Sequence, residues 1–217
     1  MLGPPGAGKG TQAEQFARIK GIPKISTGDI LREAVHAGTE IGLRAKVIMD
    51  RGELVGDDVM IGIVRERLER LDAVGGFVLD GFPRTVAQAA ALDAIMAGRD
   101  PLIVVDMVVP EAELVRRLGG RTICEDCGHG APVGSGVGAA CPSCGGRFVQ
   151  RADDNEAVVL ERLKVYHRQS EPLVEYYRTR LTFRSIDGAQ APERVAADLA
   201  AAIEAAGNSV VRPGVQG

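Results

Sequence analysis

A glycine-rich segment near the N-terminus has the residue types that bind phosphate groups. Residues 3–11 read Gly-Pro-Pro-Gly-Ala-Gly-Lys-Gly-Thr, and the pattern of a helix follows. Glycines let successive backbone N–H groups converge on phosphate oxygens, and the N-terminus of the next helix adds its dipole. Lys9 supplies a mobile cation for β- and γ-phosphates. A glycine turn without a ligand is the alternative, but the lysine that ends the turn disfavours it.

This segment departs from the usual phosphate loop in two ways. The usual pattern places Ser or Thr directly after the lysine, whereas here Gly10 intervenes and Thr11 follows. We therefore predict that the Thr11 hydroxyl contacts phosphate instead of binding magnesium directly. Such a loop normally follows a buried strand, yet only Met1 and Leu2 precede it. We expect that a few apolar residues are missing upstream.

Four cysteines have the spacing of a metal site. Cys124 and Cys127 form one close pair, and Cys141 and Cys144 form another. Each pair can place two thiolates on one ion, and four thiolates complete a closed tetrahedral zinc site. A closed site leaves no position for a substrate, so we predict a structural Zn²⁺. Residues 128–146 are rich in Gly, Ala, Pro and Ser, so metal binding would have to organise this segment.

The elements that must position these groups follow an alternating order. Short apolar runs alternate with longer helical patterns, which predicts an α/β fold with a mostly parallel central sheet flanked by helices. The candidate strands are residues 22–26, 77–79, 102–109 and 182–187.

Two helices have the clearest patterns. One should begin at Asp57, which can cap its first turn, and the other at Pro192, a favourable first helical residue. The apolar stripe of the first consists of Met60, Ile63, Val64, Leu68 and Leu71. We expect the tail, residues 207–217, to be flexible.

Composition excludes several classes of protein. The chain has 217 residues, of which 45% are hydrophobic and 25% charged, as expected for one globular domain with small insertions. Its net charge of −3 argues against a broad nucleic-acid surface. There is no run of about 20 apolar residues to span a membrane and no secretory signal pattern. We therefore expect a cytoplasmic enzyme that binds neither nucleic acid nor membrane.

Three further motifs carry a family resemblance. Residues 25–32 read Ile-Ser-Thr-Gly-Asp-Ile-Leu-Arg, residues 77–85 read Phe-Val-Leu-Asp-Gly-Phe-Pro-Arg-Thr, and residues 150–156 read Gln-Arg-Ala-Asp-Asp-Asn-Glu. With the glycine loop, they closely resemble motifs of the adenylate kinase family, in its bacterial long-lid form with a four-cysteine zinc site. The resemblance extends from Gly3 to about Ile203.

The resemblance implies a nucleoside monophosphate kinase fold in three parts. The core would comprise residues 1–25, 56–119 and 155–206. An AMP-binding flap would comprise residues 26–55, and a zinc-bearing lid residues 120–154. The implied enzyme is a monomer that interconverts ATP plus AMP with two ADP, and it uses Mg²⁺ with the nucleotide.

The resemblance also implies roles for individual residues. ATP would contact Gly6, Ala7, Gly8, Lys9, Gly10, Thr11, Arg117, Arg121 and Gln190. AMP would contact Thr27, Arg32, Glu53, Leu54, Val55, Gly81, Phe82, Pro83, Arg84, Gln88, Arg151 and Arg162. The cations Lys9, Arg84, Arg121, Arg151 and Arg162 would stabilise the transferring phosphoryl group, and Asp80 would orient magnesium-bound water.

Local patterns refine these roles. Arg117 and Arg121 are four residues apart, so on a helix they would share one face. Asp153 and Glu156 form a plausible capping box for a helix that carries Arg162. Asp153 or Asp154 can also pair with lid arginines. Gln88 can read the edge of adenine with its amide.

The chain departs from the family pattern between the cysteine pairs and near Gln190. Residues 129–134 replace an aromatic and Asn-Pro-Pro stretch, which leaves the strictness of donor choice open. Gln190 replaces a common lysine and would contribute a backbone carbonyl. Three other readings are a kinase for UMP, CMP or GMP, a zinc ribbon that binds nucleic acid, and a pseudoenzyme. Thr27 and Gln88 favour AMP, the acidic Glu125 and Asp126 disfavour nucleic acid, and the intact cation set disfavours a pseudoenzyme.

Overall fold

The helices and strands alternate along the chain. The computed structural model describes residues 1–131, 135–151 and 154–209. In chain order the elements are α1 Lys9–Lys20, β1 Lys24–Ser26, α2 Thr27–His36, α3 Glu40–Asp50, α4 Asp57–Leu68, a 3₁₀ turn Leu71–Ala73, β2 Val78–Asp80, α5 Val86–Ile95, β3 Val104–Val108, α6 Glu111–Gly119, β4 Thr122–Cys124, β5 Phe148–Gln150, α7 Glu156–Val165, a π-helical turn Tyr166–Ser170, α8 Pro172–Tyr177, β6 Phe183–Asp187 and α9 Pro192–Asn208.

Two parallel strand pairs form the centre of the fold. β1 pairs with β2, with Ser26 opposite Asp80, and β3 pairs with β6. The segment Met1–Leu2 lies between the pairs, because the Met1 amino group donates to the Leu79 carbonyl at 2.9 Å and the Leu2 N–H donates to the Val105 carbonyl at 2.8 Å. The glycine loop therefore leaves the middle of the sheet, where the carboxyl ends of neighbouring strands meet.

Apolar side chains on both strand pairs are covered by helices. Met107 of β3 packs in one buried cluster with Leu118 of α6 and Leu199 of α9. Leu79 of β2 packs in another with Val64 of α4. Burial on both faces explains why the strands read as continuous apolar runs. The predicted α/β fold with its parallel strands is confirmed.

A separate antiparallel pair carries the cysteines. β4 and β5 pair with Cys124 opposite Phe148. Phe148 and two of the cysteines form a small buried cluster of their own. Among the described residues, no helix is both long and apolar enough for a transmembrane span.

All four predicted strands are present. β1, β3 and β6 are shorter than the apolar runs that predicted them, and β2 has the predicted length but begins one residue later. The helix from Asp57 is also present, and Met60, Val64 and Leu68 are buried. Two details of this helix were wrong. Its N-cap is Gly56, and the Asp57 side chain bonds elsewhere. Leu71 is 89% exposed because the helix has already ended and a 3₁₀ turn directs this side chain outward.

Helix ends also differ from expectation in two other places. α7 begins at Glu156 with Asn155 as its cap, whose side chain accepts from the Val158 N–H at 3.1 Å. The predicted cap Asp153 lies outside the described residues. α9 begins at Pro192 as predicted, but it continues to Asn208, past the predicted start of the tail at Gly207. Residues 210–217 lie outside the described residues.

Candidate functional site

The glycine loop turns directly into the first turn of α1. Gly8 is the N-cap with a φ of 91°, a left-handed conformation that glycine adopts without steric cost. Gly6 has a φ of 85°, and a Cβ atom there would lie 2.9 Å from Cγ of Leu118. The loop therefore requires glycine at these positions, and it leaves the first backbone N–H groups of α1 available to an anion.

Lys9 occupies the centre of this loop. Its ammonium donates to the carbonyl oxygens of Gly3 at 2.6 Å and Pro4 at 2.8 Å. Burial lowers the pKa of Lys9 to about 8, because removal from water disfavours the charged form. The carboxylate of Asp80 opposes this shift, whereas three nearby guanidinium groups add to it, those of Arg84, Arg162 and Arg121. Cations from four separate segments therefore converge on one place.

Asp80 lies at the carboxyl end of β2 beside the start of α1. A Cβ atom at Gly10 would lie 3.2 Å from the Asp80 carboxylate, tighter than ordinary van der Waals contact. A larger residue at position 10 would crowd the Asp80 carboxylate. Glycine at this position therefore allows the carboxylate to lie close to both the N-terminus of α1 and Lys9.

A second set of polar groups surrounds Gly81, directly after β2. The Thr27 hydroxyl donates to the Gly81 carbonyl at 2.8 Å, and Nε of Arg84 donates to the same oxygen at 2.9 Å. Ser26 pairs with Asp80 across the two strands, so the residues that follow each strand meet at one edge. Phe82 is buried, and Pro83 follows it in the same turn.

The amide of Gln88, which is predicted to read the edge of adenine, is buried and bonded to the protein. It is 1% exposed. Its Oε1 accepts from the Arg84 backbone N–H at 2.8 Å, and its Nε2 donates to Asp57 at 2.7 Å. Each end of the amide thus already holds one protein partner.

The segment after α3 joins these groups to α7. Val55 is buried in the cluster around β2, Leu54 is half-buried and Glu53 is exposed. A Cβ atom at Gly52 would lie 3.0 Å from Cγ of Arg162. Arg32, on α2, contacts the carboxylate of Asp29 one turn earlier.

Asp154 links two of the converging arginines. Its side chain is fully buried, and Arg121 binds both carboxylate oxygens at 2.6 Å. Arg162 donates to the same carboxylate at 2.8 Å. The predicted pairing of an acidic residue with lid arginines is confirmed for Asp154. Arg151 precedes this carboxylate by three residues, and its carbonyl accepts from the Asp154 N–H at 3.1 Å.

Arg117 and Arg121 do not share a helix face. α6 ends at Gly119, so Arg121 lies beyond it. Arg117 instead bonds Glu113 at 2.7 Å and the carbonyls of Gly188 at 2.9 Å and Ala189 at 3.4 Å. The prediction failed because two glycines, 119 and 120, end the helix before the second arginine.

The side chain of Gln190 bonds groups near α9. Its amide donates to Asp198 of α9 at 2.9 Å and to the Asp187 carbonyl at 3.2 Å. Protein groups therefore hold this side chain, and the predicted backbone contact of Gln190 with ATP stays a prediction.

The four cysteines form one cluster. All four Sγ atoms lie within 4.8 Å of one another, and none forms a disulfide. Cys124 and Cys144 are 3.4 Å apart, and Cys127 and Cys141 are 3.6 Å apart. A tetrahedral zinc–thiolate site, with its Zn–S distance near 2.3 Å, requires sulfurs about 3.8 Å apart. The all-thiol donor set and its spacing therefore fit a zinc ion.

Sequence reasoning missed two carboxylates of the site. Asp57 binds Gln88 and Thr85, and Glu113 bonds two arginines of α6. Nothing in the local pattern distinguished Asp57 from a helix cap. The spacing of Glu113 and Arg117, four residues apart, could have indicated their pairing.

Known proteins resemble this chain over nearly its full length. The model of the adenylate kinase family matches residues 1–182. An adenylate kinase of Archaeoglobus fulgidus is 49% identical over 209 residues, with 94% of this chain and 96% of that protein covered. The adenylate kinase of Geobacillus sp. (strain WCH70) is 51% identical over 207 residues, with 92% and 94% covered. That of Geobacter sp. (strain M21) is 50% identical over 210 residues, with 94% and 98% covered. The glycine loop, the converging cations and these matches agree, and the chain belongs to the adenylate kinase family.

Proposed function

We propose that the chain is an ATP:AMP phosphotransferase, which interconverts ATP plus AMP with two ADP. The observation that carries this proposal is the convergence of Lys9, Arg84, Arg121 and Arg162 at the glycine loop. Phosphoryl transfer needs little covalent help from a protein, since it depends on alignment and on stabilising charge over phosphate oxygens. Two nucleotides placed end to end would bring several negative charges to this point.

The two nucleotides would enter from opposite sides of this cation cluster. On the ATP side, the loop from Gly6 to Thr11 would bind phosphates, and Arg117 with the backbone near Gln190 would border the base. On the AMP side, Thr27, Arg32 and the segments 53–55 and 81–84 would hold the second nucleotide, and Gln88 would read its base. Arg121, Arg151 and Arg162 would meet the phosphates between them.

Water competes with AMP as the phosphoryl acceptor. We propose that residues 26–55 act as a flap and residues 120–154 as a lid, which close over the core and exclude water. A coupled assay of ATP with AMP tests the whole proposal. Rapid ADP formation with AMP and weak ATP hydrolysis without it are expected, whereas equal rates in both assays would refute it.

Magnesium would accompany the nucleotide. Asp80 fits a role in binding water on that ion, because its carboxylate lies beside Lys9 and the first turn of α1. The ion would neutralise phosphate charge, and Asp80 would orient its water.

We also propose that the enzyme is a monomer and acts in the cytoplasm. Its four cysteines form no disulfide, as is typical of proteins in a reducing compartment.

The thiol cluster would hold a structural zinc ion in the lid. Cys124, Cys127, Cys141 and Cys144 would bind it, and no position would remain for a substrate. Burial alone would raise the pKa of the Cys141 thiol, but the backbone N–H groups of Ser143 and Cys144 and the neighbouring thiols hold this pKa below its usual value. The lid would then be ordered by the metal, since its own buried cluster is small.

Replacement of Cys141 with Ser is expected to remove the metal and loosen the lid. We expect zinc content to fall from about one per chain to near zero, and kcat to fall about 10²-fold because the lid no longer positions its arginines. Metal analysis and a coupled assay on the same sample measure both effects. Ser143→Ala, in the same turn, is the matched control and should retain zinc and activity. A Cys141→Ser enzyme with full zinc would contradict the site.

The ionisation of Lys9 predicts an alkaline limit to activity. Its pKa of about 8 means that the ammonium is charged below this pH and neutral above it. We expect kcat/KM for ATP to fall as pH rises through about 8, since kcat/KM reports the free enzyme. The decline of kcat should occur at a higher pH than that of kcat/KM, because bound phosphates favour the charged form of Lys9. A kcat/KM that stays level to pH 10 would contradict this assignment.

A further inference from the structure

The Gln88 amide has half of its hydrogen-bonding capacity committed to the protein. A glutamine amide offers two N–H donors and two acceptor sites. One N–H is bound by Oδ1 of Asp57 at 2.7 Å, and one acceptor site is filled by the Arg84 backbone N–H at 2.8 Å. Within the described parts of the chain, one donor and one acceptor of the amide therefore remain for a ligand.

These two partners also fix the direction of the amide. The Asp57 carboxylate can only accept, and the Arg84 N–H can only donate. If the amide rotated by half a turn, its oxygen would face a carboxylate and its NH₂ group would face another N–H. Gln88 is 1% exposed, so water could not relieve either contact.

Asp57 is itself held firmly in place. Its second carboxylate oxygen, Oδ2, accepts from the Thr85 hydroxyl at 2.9 Å. The Thr85 oxygen in turn accepts from the Gln88 backbone N–H at 3.1 Å, which caps α5. Asp57 is also the first residue of α4, where the helix dipole favours a negative charge. The carboxylate thus connects α4 with the turn that carries Gln88.

We propose that Asp57 is a positioning residue that determines which base the acceptor nucleotide carries. This inference rests on the proposed function, in which Gln88 reads that base. Adenine offers an amino donor at N6 and an acceptor at N1, which match the remaining acceptor and donor of Gln88. Hypoxanthine and guanine offer an acceptor at O6 and a donor at N1. Because Asp57 fixes the direction of the amide, the O6 acceptor of these bases would meet the Gln88 oxygen, and their N1 donor would meet the Gln88 NH₂ group.

AMP and IMP form the sharpest pair of probes, because they differ only at this edge of the base. We expect Asp57→Asn to lower the AMP-to-IMP ratio of kcat/KM by about tenfold, the order of one charged hydrogen bond. The change should come from a higher KM for AMP and a lower one for IMP. The KM for ATP and the kcat with saturating AMP should stay near wild type, because Asp57 touches neither the loop nor the converging cations.

Asp58→Asn is the matched control, since it removes an exposed carboxylate from the same helix turn. It should leave the AMP-to-IMP ratio unchanged. A melting curve for each variant separates specificity from stability. If Asp57→Asn lowers the melting temperature but keeps the wild-type ratio, Asp57 is only structural and the inference is wrong.

Two further variants, Asp57→Glu and Gln88→Leu, test the roles of Asp57 and Gln88 separately. Asp57→Glu keeps the charge at the helix N-terminus but displaces the carboxylate, so it should fold and also lower the ratio. An unchanged ratio in this variant would overturn the inference. Gln88→Leu should abolish the preference for AMP over IMP. A Gln88→Leu enzyme that still prefers AMP would overturn the role of Gln88 and that of Asp57, whereas failure of the wild type to use AMP at all would refute the proposed function itself.

Discussion

Replacement of Lys9 with Met is expected to lower kcat about 10³-fold, comparable to the loss of a principal charge-stabilising group in other phosphoryl-transfer and acyl-transfer sites. The ammonium donates to the carbonyls of Gly3 and Pro4. A γ-phosphate that enters the loop would replace these carbonyls as the hydrogen-bond partner of the Lys9 ammonium. Met has similar length but no charge, so it removes the interaction with phosphate and keeps the packing of the stem.

The same substitution should leave the fold intact. The charged form of Lys9 is disfavoured in the folded protein, since burial lowers its pKa to about 8. Removal of this charge relieves the desolvation and the repulsion from Arg84, Arg121 and Arg162. A melting temperature equal to or above that of the wild type is therefore expected, alongside the loss of kcat.

Lys20→Met is the matched control for this experiment. Lys20 ends α1 and is exposed, so its replacement removes one positive charge from the same helix without touching the loop. Its kcat should equal that of the wild type. If Lys9→Met retained more than about a tenth of wild-type kcat, the phosphate role assigned to the loop would be wrong.

The sequence predicted the parts of the fold that depend on local pattern. The glycine loop could be identified because its glycines, Lys9 and the start of the helix pattern lie next to one another in the sequence. The strands followed from their apolar runs, and Leu199 and Val195 of α9 are buried as the helical spacing requires. In each case the residues that give the signal are neighbours along the chain or along one helix face.

The failures concern choices that only tertiary contacts make. The sequence predicted Asp153 as the cap of α7, but the cap is Asn155, and Asp154 before it binds Arg121 and Arg162. Asp57 has the sequence context of a cap, yet it bonds residues 28 and 31 positions away. A short polar side chain has the same local signature in both roles, so its long-range partner cannot be read from the chain alone.

Asp154 leads to the second large expected effect, a loss of stability. Asp154→Asn should lower the free energy of unfolding by ~3 kcal/mol, because it removes the charge of a buried carboxylate that binds both Arg121 and Arg162. The estimate lies at the lower end for a broken buried pair, since the side chains of Arg121 and Arg162 are still 29% and 16% exposed. Denaturant unfolding of the variant and the wild type measures the difference.

Asp50→Asn is the matched control, since Asp50 pairs with Lys46 on the surface. Exposed pairs contribute little, so this variant should differ from the wild type by less than about 1 kcal/mol. A loss for Asp154→Asn as small as that of the control would show that the buried carboxylate does not hold the arginines together.

Nucleotide should reduce the defect of Asp154→Asn. In the protein without nucleotide, the Asp154 carboxylate binds Arg121 and Arg162, and nucleotide phosphates would add further negative charge beside these arginines. Ligands that bind the folded state stabilise it, and phosphates would also offset part of the negative charge that the variant loses. We therefore expect the gap in melting temperature between variant and wild type to narrow with ATP and AMP present. A gap that stays constant would mean that these arginines do not meet the phosphates.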